Sequence, residues 1–226
     1  MNPTLLRLIF TGLCIQLLMG VSIAGSPNPS VNAEKLAALE QRILSHVPRS
    51  GFAHEIHGLQ VVKTALAAVK NGSGGIGACI IDTRDNSVVM EGRNRQYDGY
   101  FRSDLHAEMD LLNAYEDKAR KQHRRKSGKD PRGCPNLLLI SSMEPCPMCL
   151  TRIINSGIKT VLYVEEDPQG GMASRLECLP PFWREFARDR TFKKADCSPE
   201  VQQMAHDLFH LTHRSFAKNR QKTPSP

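Results

Sequence analysis

The chain has 226 residues, of which 40% are hydrophobic and 23% are charged. This balance is sufficient for one globular domain with a hydrophobic core, and it excludes a wholly disordered chain. The net charge of +7 permits contact with nucleic acid or another anionic surface. Charge alone does not distinguish such a partner from simple solubility.

The first 24 residues have the pattern of a secretory signal peptide. A short start with one basic residue, Arg7, precedes an apolar run over residues 8–21, and small residues follow up to Ala24. Cleavage after Ala24 would export the protein, either to the periplasm or as a secreted protein, and would leave no stable membrane span. The alternative is an uncleaved anchor, because the apolar run approaches the length of a membrane span.

The spacing of apolar residues predicts the elements in chain order. A linker and a helix cover residues 25–50, and the main domain covers residues 51–226. Helices are predicted over residues 33–47, 59–71, 106–119, 147–155 and 199–217, and strands over residues 76–82, 87–91, 137–141 and 160–164. A hairpin followed by alternating helices and strands predicts an α/β fold with a mixed sheet layered with helices.

A strongly basic segment, residues 118–133, lies between a predicted helix and a predicted strand. Its simplest interpretation is a solvated surface loop. A sharper interpretation is a patch that contacts phosphates, which would make nucleic acid a partner.

Seven cysteines are present, and Cys14 would leave with the signal peptide. In an oxidising compartment the remaining six are expected to pair. They fit either three disulfides or a metal-binding pair with two further bridges, and the sequence leaves the connectivity open. These six are Cys79, Cys134, Cys146, Cys149, Cys178 and Cys197.

Two short motifs contain residue types that bind metals. They are His106-Ala107-Glu108 and Pro145-Cys146-Pro147-Met148-Cys149. A His-x-acid triplet is expected about once by chance in a chain of this composition, whereas Pro-Cys-x-x-Cys is expected in roughly one such chain in a hundred. The competing interpretation of the second motif is a disulfide or redox pair, but no thioredoxin-like order of elements accompanies it.

The residue types of the two motifs suit catalytic zinc. Such an ion takes three protein ligands and leaves a fourth position for water, and His106, Cys146 and Cys149 meet this need. Pro147 suits the first position of a helix that would hold both cysteines. Glu108 is expected to act as the catalytic proton shuttle. Zinc would lower the pKa of the water to about 7 and so supply a hydroxide nucleophile.

His-x-Glu followed by Pro-Cys-x-x-Cys is the known pattern of zinc deaminases. Over about residues 76–166 the chain resembles the cytidine/deoxycytidylate deaminase-like superfamily. The resemblance implies a three-layer α/β/α sandwich with a mixed central sheet of about five strands, a Zn²⁺ cofactor and, by analogy, a homodimer. It also makes residues 51–226 a zinc deaminase domain.

Finer features are similar to the guanine deaminase and tRNA adenosine deaminase branch of that superfamily. They are Gly92-Arg93-Asn94-Arg95 and Glu144-Pro145-Cys146-Pro147-Met148-Cys149. The resemblance implies that Asn94 holds the base, and Ala107 is assigned to substrate binding with it. The chain departs from these relatives at residues 97–105, in the long basic segment, and in having two helices before the hairpin.

Some further side chains have a functional and a simpler interpretation. Four aromatic residues are candidates for stacking on a base or for ordinary packing: Tyr97, Tyr100, Phe101 and Trp183. Three histidines share one helical stripe, which favours packing or a solvent-facing surface over a second metal site: His206, His210 and His213.

The motifs favour an enzyme that releases ammonia from a nucleobase or nucleoside, with a purine such as guanine slightly preferred over cytosine or cytidine. One alternative is a deaminase that acts on RNA or DNA, or a secreted effector, which the basic segment would support. Another alternative is a non-catalytic, zinc-stabilised interaction module. Glu108 argues against that module, because a structural zinc site does not need a proton shuttle.

Overall fold

The computed structural model describes residues 32–123 and 136–220. The predicted signal peptide, Cys14, Cys134 and residues 124–133 of the basic segment lie outside these ranges. Within the described part, none of the helices has the length and apolar character needed to cross a membrane.

The described chain contains six α-helices and one five-stranded sheet. The helices are α1 (Ala33–Ser45), α2 (Glu55–Lys70), α3 (Ala107–His123), α4 (Pro147–Ser156), α5 (Pro181–Ala187) and α6 (Pro199–Arg220). The strands are β1 (Gly77–Asp82), β2 (Ser87–Arg93), β3 (Leu137–Met143), β4 (Thr160–Glu165) and β5 (Thr191–Lys194). The strand order is β2-β1-β3-β4-β5. Strand β1 is antiparallel to both of its neighbours, whereas β3, β4 and β5 run parallel, so the sheet is mixed as expected.

The sheet lies between two layers of helices because its central strands β1, β3 and β4 are buried on both faces. Alternate residues of β1 divide between two cores: Cys79 and Ile81 pack with α1, α2 and α6, whereas Ala78 and Ile80 pack with α3 and α4. Helix α5 joins a third, smaller cluster with the outer side of α4. This arrangement confirms the predicted three-layer α/β/α sandwich.

Two elements were not predicted from the apolar pattern, and one helix is longer than predicted. Strand β5 is four residues long with only one apolar side chain, Phe192, and α5 has seven residues. Helix α3 continues to His123, because the charged residues after Ala119 still have the propensity to form a helix. Residues 118–123 of the basic segment are therefore helical, which corrects the prediction that the loop begins at residue 118.

The cysteines outside the two motifs do not form the expected bridges within the described chain. The five cysteines that the structure describes are all free. Cys79 and Cys197 are buried in the core, where burial raises the pKa of both thiols, that of Cys197 to about 12. Cys197 packs so closely on Gly58 of α2 that a β-carbon there would lie 2.4 Å from its sulfur. Cys79 and Cys197 thus behave as small apolar side chains, while Cys178 is exposed.

Candidate metal centre and substrate cavity

The N-terminal ends of α3 and α4 meet at the metal-binding motifs. His106 immediately precedes α3, and its carbonyl accepts a hydrogen bond from Asp110 N at 2.9 Å. Cys146 is the N-cap of α4 and accepts at its carbonyl from Leu150 N at 2.8 Å, with Pro147 in the first turn as predicted. The positive ends of both helix dipoles therefore face this point, where they favour thiolate over thiol.

The donor atoms fit a zinc ion. One ligand atom from each of His106, Cys146 and Cys149 lies within 4.8 Å of the others. The Sγ atom of Cys146 is 3.6 Å from Nδ1 of His106. Bonds of about 2.3 Å to sulfur and about 2.1 Å to nitrogen at a tetrahedral angle place the two atoms about 3.6 Å apart. Among the residues that the structure describes, no other group of three such side chains comes close enough to hold a metal.

The protonation of these groups also suits a metal. Hydrogen bonding by Cys149 and then by His106 lowers the pKa of Cys146 to about 4, although burial opposes the shift. The same contact with Cys146, together with burial, raises the pKa of Cys149. The hydrogen bond to Cys146 raises the pKa of His106. Binding of a zinc ion would displace the protons that these groups carry in its absence.

Glu108 is the second residue of α3, and its carboxylate is buried beside the donor atoms. Its side chain is 3% exposed, and it accepts a hydrogen bond from Ser141 Oγ of β3 at 3.0 Å. Burial, and then the negative charge on Cys146, raise the pKa of Glu108. A carboxyl group with a raised pKa in a cavity is suited to accept and return a proton.

Asn94 follows β2 and closes the other side of the same cavity. The residue is buried, and its backbone N–H donates to Ile76 O at 2.9 Å. The cavity has a volume of about 220 Å³, and its walls include Asn94, His106, Glu108 and Cys146. Asn94 follows β2, His106 and Glu108 lie at the start of α3, and Cys146 precedes α4. The fold therefore brings three separate segments together at this cavity.

The structure adds cavity residues that the sequence motifs did not indicate. They are Gly74, Ile76, Gln96, Met143, Glu144, Asp167, Phe209 and Thr212. Gln96 directly follows the Gly92-Arg93-Asn94-Arg95 motif, and Glu144 begins the motif that ends at Cys149. The buried carboxylate of Glu144 accepts hydrogen bonds from the backbone of Asp167 and from both N and Oγ of Ser174, at 2.8 to 3.2 Å. Glu144 thereby fixes the segment that follows β4 against the zinc-binding loop.

Other sequence candidates lie away from this cavity. The methyl group of Ala107 packs in the core between α3 and the sheet and is not among the cavity residues, so only its backbone could contact a substrate. The aromatic candidates also do not line the cavity: Tyr97, Tyr100 and Phe101 are exposed, and Trp183 packs in the cluster around α5.

The histidine stripe borders a second cavity of about 560 Å³, which shares Met143, Asp167 and Phe209 with the first. The rings of His206 and His210 are 4.1 Å apart, and Nδ1 of His206 is 3.8 Å from a carboxylate oxygen of Glu165. His206 and His210 therefore pack against each other beside Glu165 at the edge of this cavity. The side chain of His213 lies outside the described part.

An α/β/α sandwich that brings one histidine, two cysteines and a buried glutamate to two helix N-termini defines the class of zinc deaminase folds. Residues 54–165 match the cytidine and deoxycytidylate deaminase zinc-binding region, and this part of the chain belongs to that family. The family match confirms the resemblance inferred from the two motifs.

Comparison with individual proteins supports the same assignment. The chain is 28% identical over 144 residues to the tRNA-specific adenosine deaminase subunit tad3 of Schizosaccharomyces pombe. This alignment covers 57% of this chain and 44% of the relative. It therefore spans less than half of that relative's length. The solved guanine deaminase of Nitrosomonas europaea has a TM-score of 0.53 at 21% identity, over 76% of this chain and 92% of that chain. A structure of NE0047 in complex with 2,6-diaminopurine has a TM-score of 0.52 at 23% identity, over 81% of this chain and 90% of that chain. These two structures establish similarity of fold.

Proposed function

We propose that the protein is a zinc-dependent hydrolase that deaminates a nucleobase or nucleoside, with a purine such as guanine preferred over cytosine or cytidine. The observation that carries this proposal is one cavity of about 220 Å³ that joins the zinc donors His106 and Cys146, the buried carboxylate of Glu108 and the amide of Asn94. A structural zinc site needs neither the cavity nor the carboxylate.

In the overall reaction, water replaces the amino group on a ring carbon, the ring gains a carbonyl and ammonia leaves. When bound by His106, Cys146 and Cys149, zinc lowers the pKa of a water molecule to about 7 and so supplies a nucleophile at neutral pH. Glu108 takes a proton from the water and delivers it to the ring nitrogen beside the attacked carbon. Glu108 then transfers the second proton of the same water molecule to the departing amino group, which leaves as ammonia.

Two residues orient this machinery. Ser141 donates to Glu108 and holds its carboxylate toward the donor atoms. Asn94 faces the same cavity and binds the edge of the base. The purine preference is supported by the Gly92-Arg93-Asn94-Arg95 sequence and by Glu144 before the second motif.

A second candidate function is deamination of a base within RNA. It is supported by the 28% identity to a subunit of a tRNA-specific adenosine deaminase. The basic segment gives less support, because α3 rises by about 22 Å between Glu108 and His123. A polynucleotide would therefore have to span that distance to contact both the cavity and the basic end of the helix.

Ammonia release by the purified protein tests the proposal, with zinc content measured in parallel. The substrates are guanine, adenine, cytosine, their nucleosides, and single-stranded RNA and DNA. Release from one small substrate is the expected result. A zinc-loaded protein that released ammonia from none of them would overturn it, and release from RNA alone would favour the second candidate.

The role of Glu108 is tested with Glu108→Gln, which should retain zinc and reduce kcat by about 10²- to 10⁴-fold, because the amide cannot transfer the protons. Glu116→Gln on the same helix is the matched control. Glu116 does not line the cavity, and its carboxylate pairs with the guanidinium of Arg152 at 2.7 Å. Full activity of Glu108→Gln would contradict the proton-shuttle role.

Export and homodimerisation remain predictions. If the signal peptide is cleaved as proposed, the mature chain begins at Gly25, which N-terminal mass analysis of the expressed protein measures directly. An intact Met1 on the mature protein would contradict cleavage. Light scattering of the purified protein distinguishes a dimer from a monomer.

A further inference from the structure

We propose that Gln96 is a positioning residue for Asn94: its backbone N–H holds Oδ1 and its side-chain oxygen holds Nδ2, so that together they fix which end of the Asn94 carboxamide is donor and which is acceptor toward the substrate. This inference deepens the proposed function and rests on it. Gln96 lines the same cavity as Asn94 and is half-buried, whereas the neighbouring aromatic residues of the same loop do not line the cavity.

Three hydrogen bonds link the side chains of Asn94 and Gln96 to each other and to the backbone. Asn94 Oδ1 accepts from the backbone N–H of Gln96 at 3.0 Å, and Asn94 Nδ2 donates to Gln96 Oε1 at 3.2 Å. At its other end, Gln96 Nε2 donates to the carbonyl of Ser103 at 3.2 Å. The two amides therefore form a closed chain between two backbone groups.

The backbone groups at the two ends determine the orientation of both amides. A backbone carbonyl can only accept, so Nε2 of Gln96 must face Ser103 and Oε1 must face Asn94. A backbone N–H can only donate, so Oδ1 of Asn94 must face it. Either amide, if flipped, would set donor against donor or acceptor against acceptor. One hydrogen of Nδ2 and one lone pair of Oδ1 are left for a substrate, in a fixed order.

Gln96 also connects Asn94 to the segment in which this chain departs from its relatives. The carbonyl of Gln96 accepts from Arg102 N at 2.8 Å, next to the side-chain contact with Ser103. A merely structural function, closing this loop, is therefore the competing explanation for Gln96. The experiment must separate positioning of Asn94 from closure of the loop.

Two substitutions at Gln96 make that separation. Gln96→Met removes both side-chain hydrogen bonds, whereas Gln96→Glu keeps the acceptor for Asn94 Nδ2 but sets a carboxylate oxygen against the Ser103 carbonyl, so it loses the loop contact. If Gln96 acts through Asn94, Gln96→Met should raise KM about tenfold with kcat little changed, and Gln96→Glu should restore KM to within about threefold of wild type. If it acts through loop closure, both variants should be impaired alike.

A double-mutant cycle with Asn94→Ala tests the same point, because a residue that acts only through Asn94 has no further effect once that amide is gone. Gln203→Met, on the surface of α6, is the matched control and should leave KM unchanged. Zinc content and the thermal midpoint show whether each variant is folded. An unchanged KM in Gln96→Met, or an undiminished effect in the Asn94→Ala background, would overturn the inference while leaving the proposed function intact.

One measurement does not depend on activity. The side-chain NH₂ resonances of Asn94 can be identified in ¹⁵N-labelled protein by their loss in Asn94→Ala. Positioning predicts that they shift and exchange faster with water in Gln96→Met but not in Gln203→Met. Unchanged resonances would overturn the inference. If the wild-type protein deaminates nothing, the proposed function fails, and this measurement still decides whether Gln96 fixes the amide.

Discussion

Two adjacent serines on β3 have different hydrogen-bond partners, so we expect one to affect catalysis and the other to affect the stability of the fold. Ser141 donates to Glu108 Oε1 at 3.0 Å, whereas Ser142 accepts from the backbone N–H of Gly77 at 3.1 Å. Successive strand residues point to opposite sheet faces, so the two hydroxyls cannot replace one another. Both are fully buried, and a lost partner at either position is not replaced by solvent.

We expect Ser141→Ala to reduce kcat about tenfold, because the Glu108 carboxylate loses the donor that orients it. Ser142→Ala should instead lower the free energy of unfolding by about 1–3 kcal/mol, since it leaves a buried N–H unpaired, with kcat nearly unchanged. Steady-state ammonia release and urea unfolding of both variants check this pair. Equal losses of activity in the two variants would contradict a specific link between Ser141 and Glu108.

The site residues that were predicted from sequence belong to short contiguous motifs. His106, Glu108, Cys146 and Cys149 could be identified because ligand spacing within a turn is a local property. Asp167, Phe209 and Thr212 reach the cavity through tertiary packing, which leaves no local spacing to recognise. The assignment of Ala107 rested on its position inside a motif and not on where its side chain points.

At the scale of elements, a buried carboxylate at the start of α2 ties three helices together. Glu55 accepts from Nε2 of His46 just after α1 at 3.1 Å, and from N and Oγ of Ser198 just before α6 at 2.7 and 2.8 Å. A further hydrogen bond comes from the backbone N–H of Arg49. Burial raises the pKa of Glu55, but these hydrogen bonds outweigh it, and the net shift is downward.

Because the pKa of Glu55 is lower in the folded state than its ordinary value of 4.5, its ionised form stabilises the fold above about pH 4.5. This stabilisation is lost as the pH falls through the folded-state pKa. Glu55→Gln should therefore reduce the free energy of unfolding by about 1–3 kcal/mol at pH 7, and the difference from wild type should shrink below pH 4.5.

Denaturant unfolding of wild type and Glu55→Gln at pH 7 and pH 4 measures this difference. The matched control is Glu40→Gln, which breaks a pair with Lys70 whose two side chains are partly exposed, and which should cost less than about 1 kcal/mol. A Glu55→Gln effect that is small at pH 7 or independent of pH would contradict the role assigned to the carboxylate.

The elements that sequence patterns predicted are the ones with several consecutive or regularly spaced buried apolar residues. Helix α2 and strands β1, β3 and β4 have long apolar stripes, and all four lie close to their predicted positions. Strand β5 lies at the sheet edge and alternates between exposed and half-buried residues, so its short sequence gives little signal. The fifth strand was expected only from the family resemblance.

At the scale of the whole molecule, the cavity depends on chain beyond the family match, which ends at residue 165. Helix α6 contributes Phe209 and Thr212 to the cavity wall, and Thr212 Oγ1 accepts from Gly75 N at 3.0 Å. A β-carbon at Gly75 would lie 2.4 Å from the carbonyl of Leu208. The last helix thus packs directly on the segment before β1, and it joins the catalytic region to the core on the other face of the sheet.

The zinc site lies at the junction of these layers, so removing zinc should affect the stability of the whole fold. An ion that binds only the folded state at a free concentration about 1,000 times its Kd stabilises the protein by about 4 kcal/mol. For a domain of this size, that corresponds to a decrease in Tm of about 8–16 °C on chelation, and Tm should recover when zinc is added back.

Calorimetric scans with and without a chelator measure this shift, and two cysteine variants determine its origin. Cys149→Ser removes a thiolate ligand, so its Tm should not respond to the chelator. Cys178→Ser changes an exposed cysteine outside the site and should show the full wild-type shift. A Tm that is insensitive to chelation in a zinc-containing wild-type protein would mean that the unfolded chain retains the metal as tightly as the folded one. A shift that persists in Cys149→Ser would mean that zinc is bound elsewhere, because two remaining ligands bind the ion far more weakly than three.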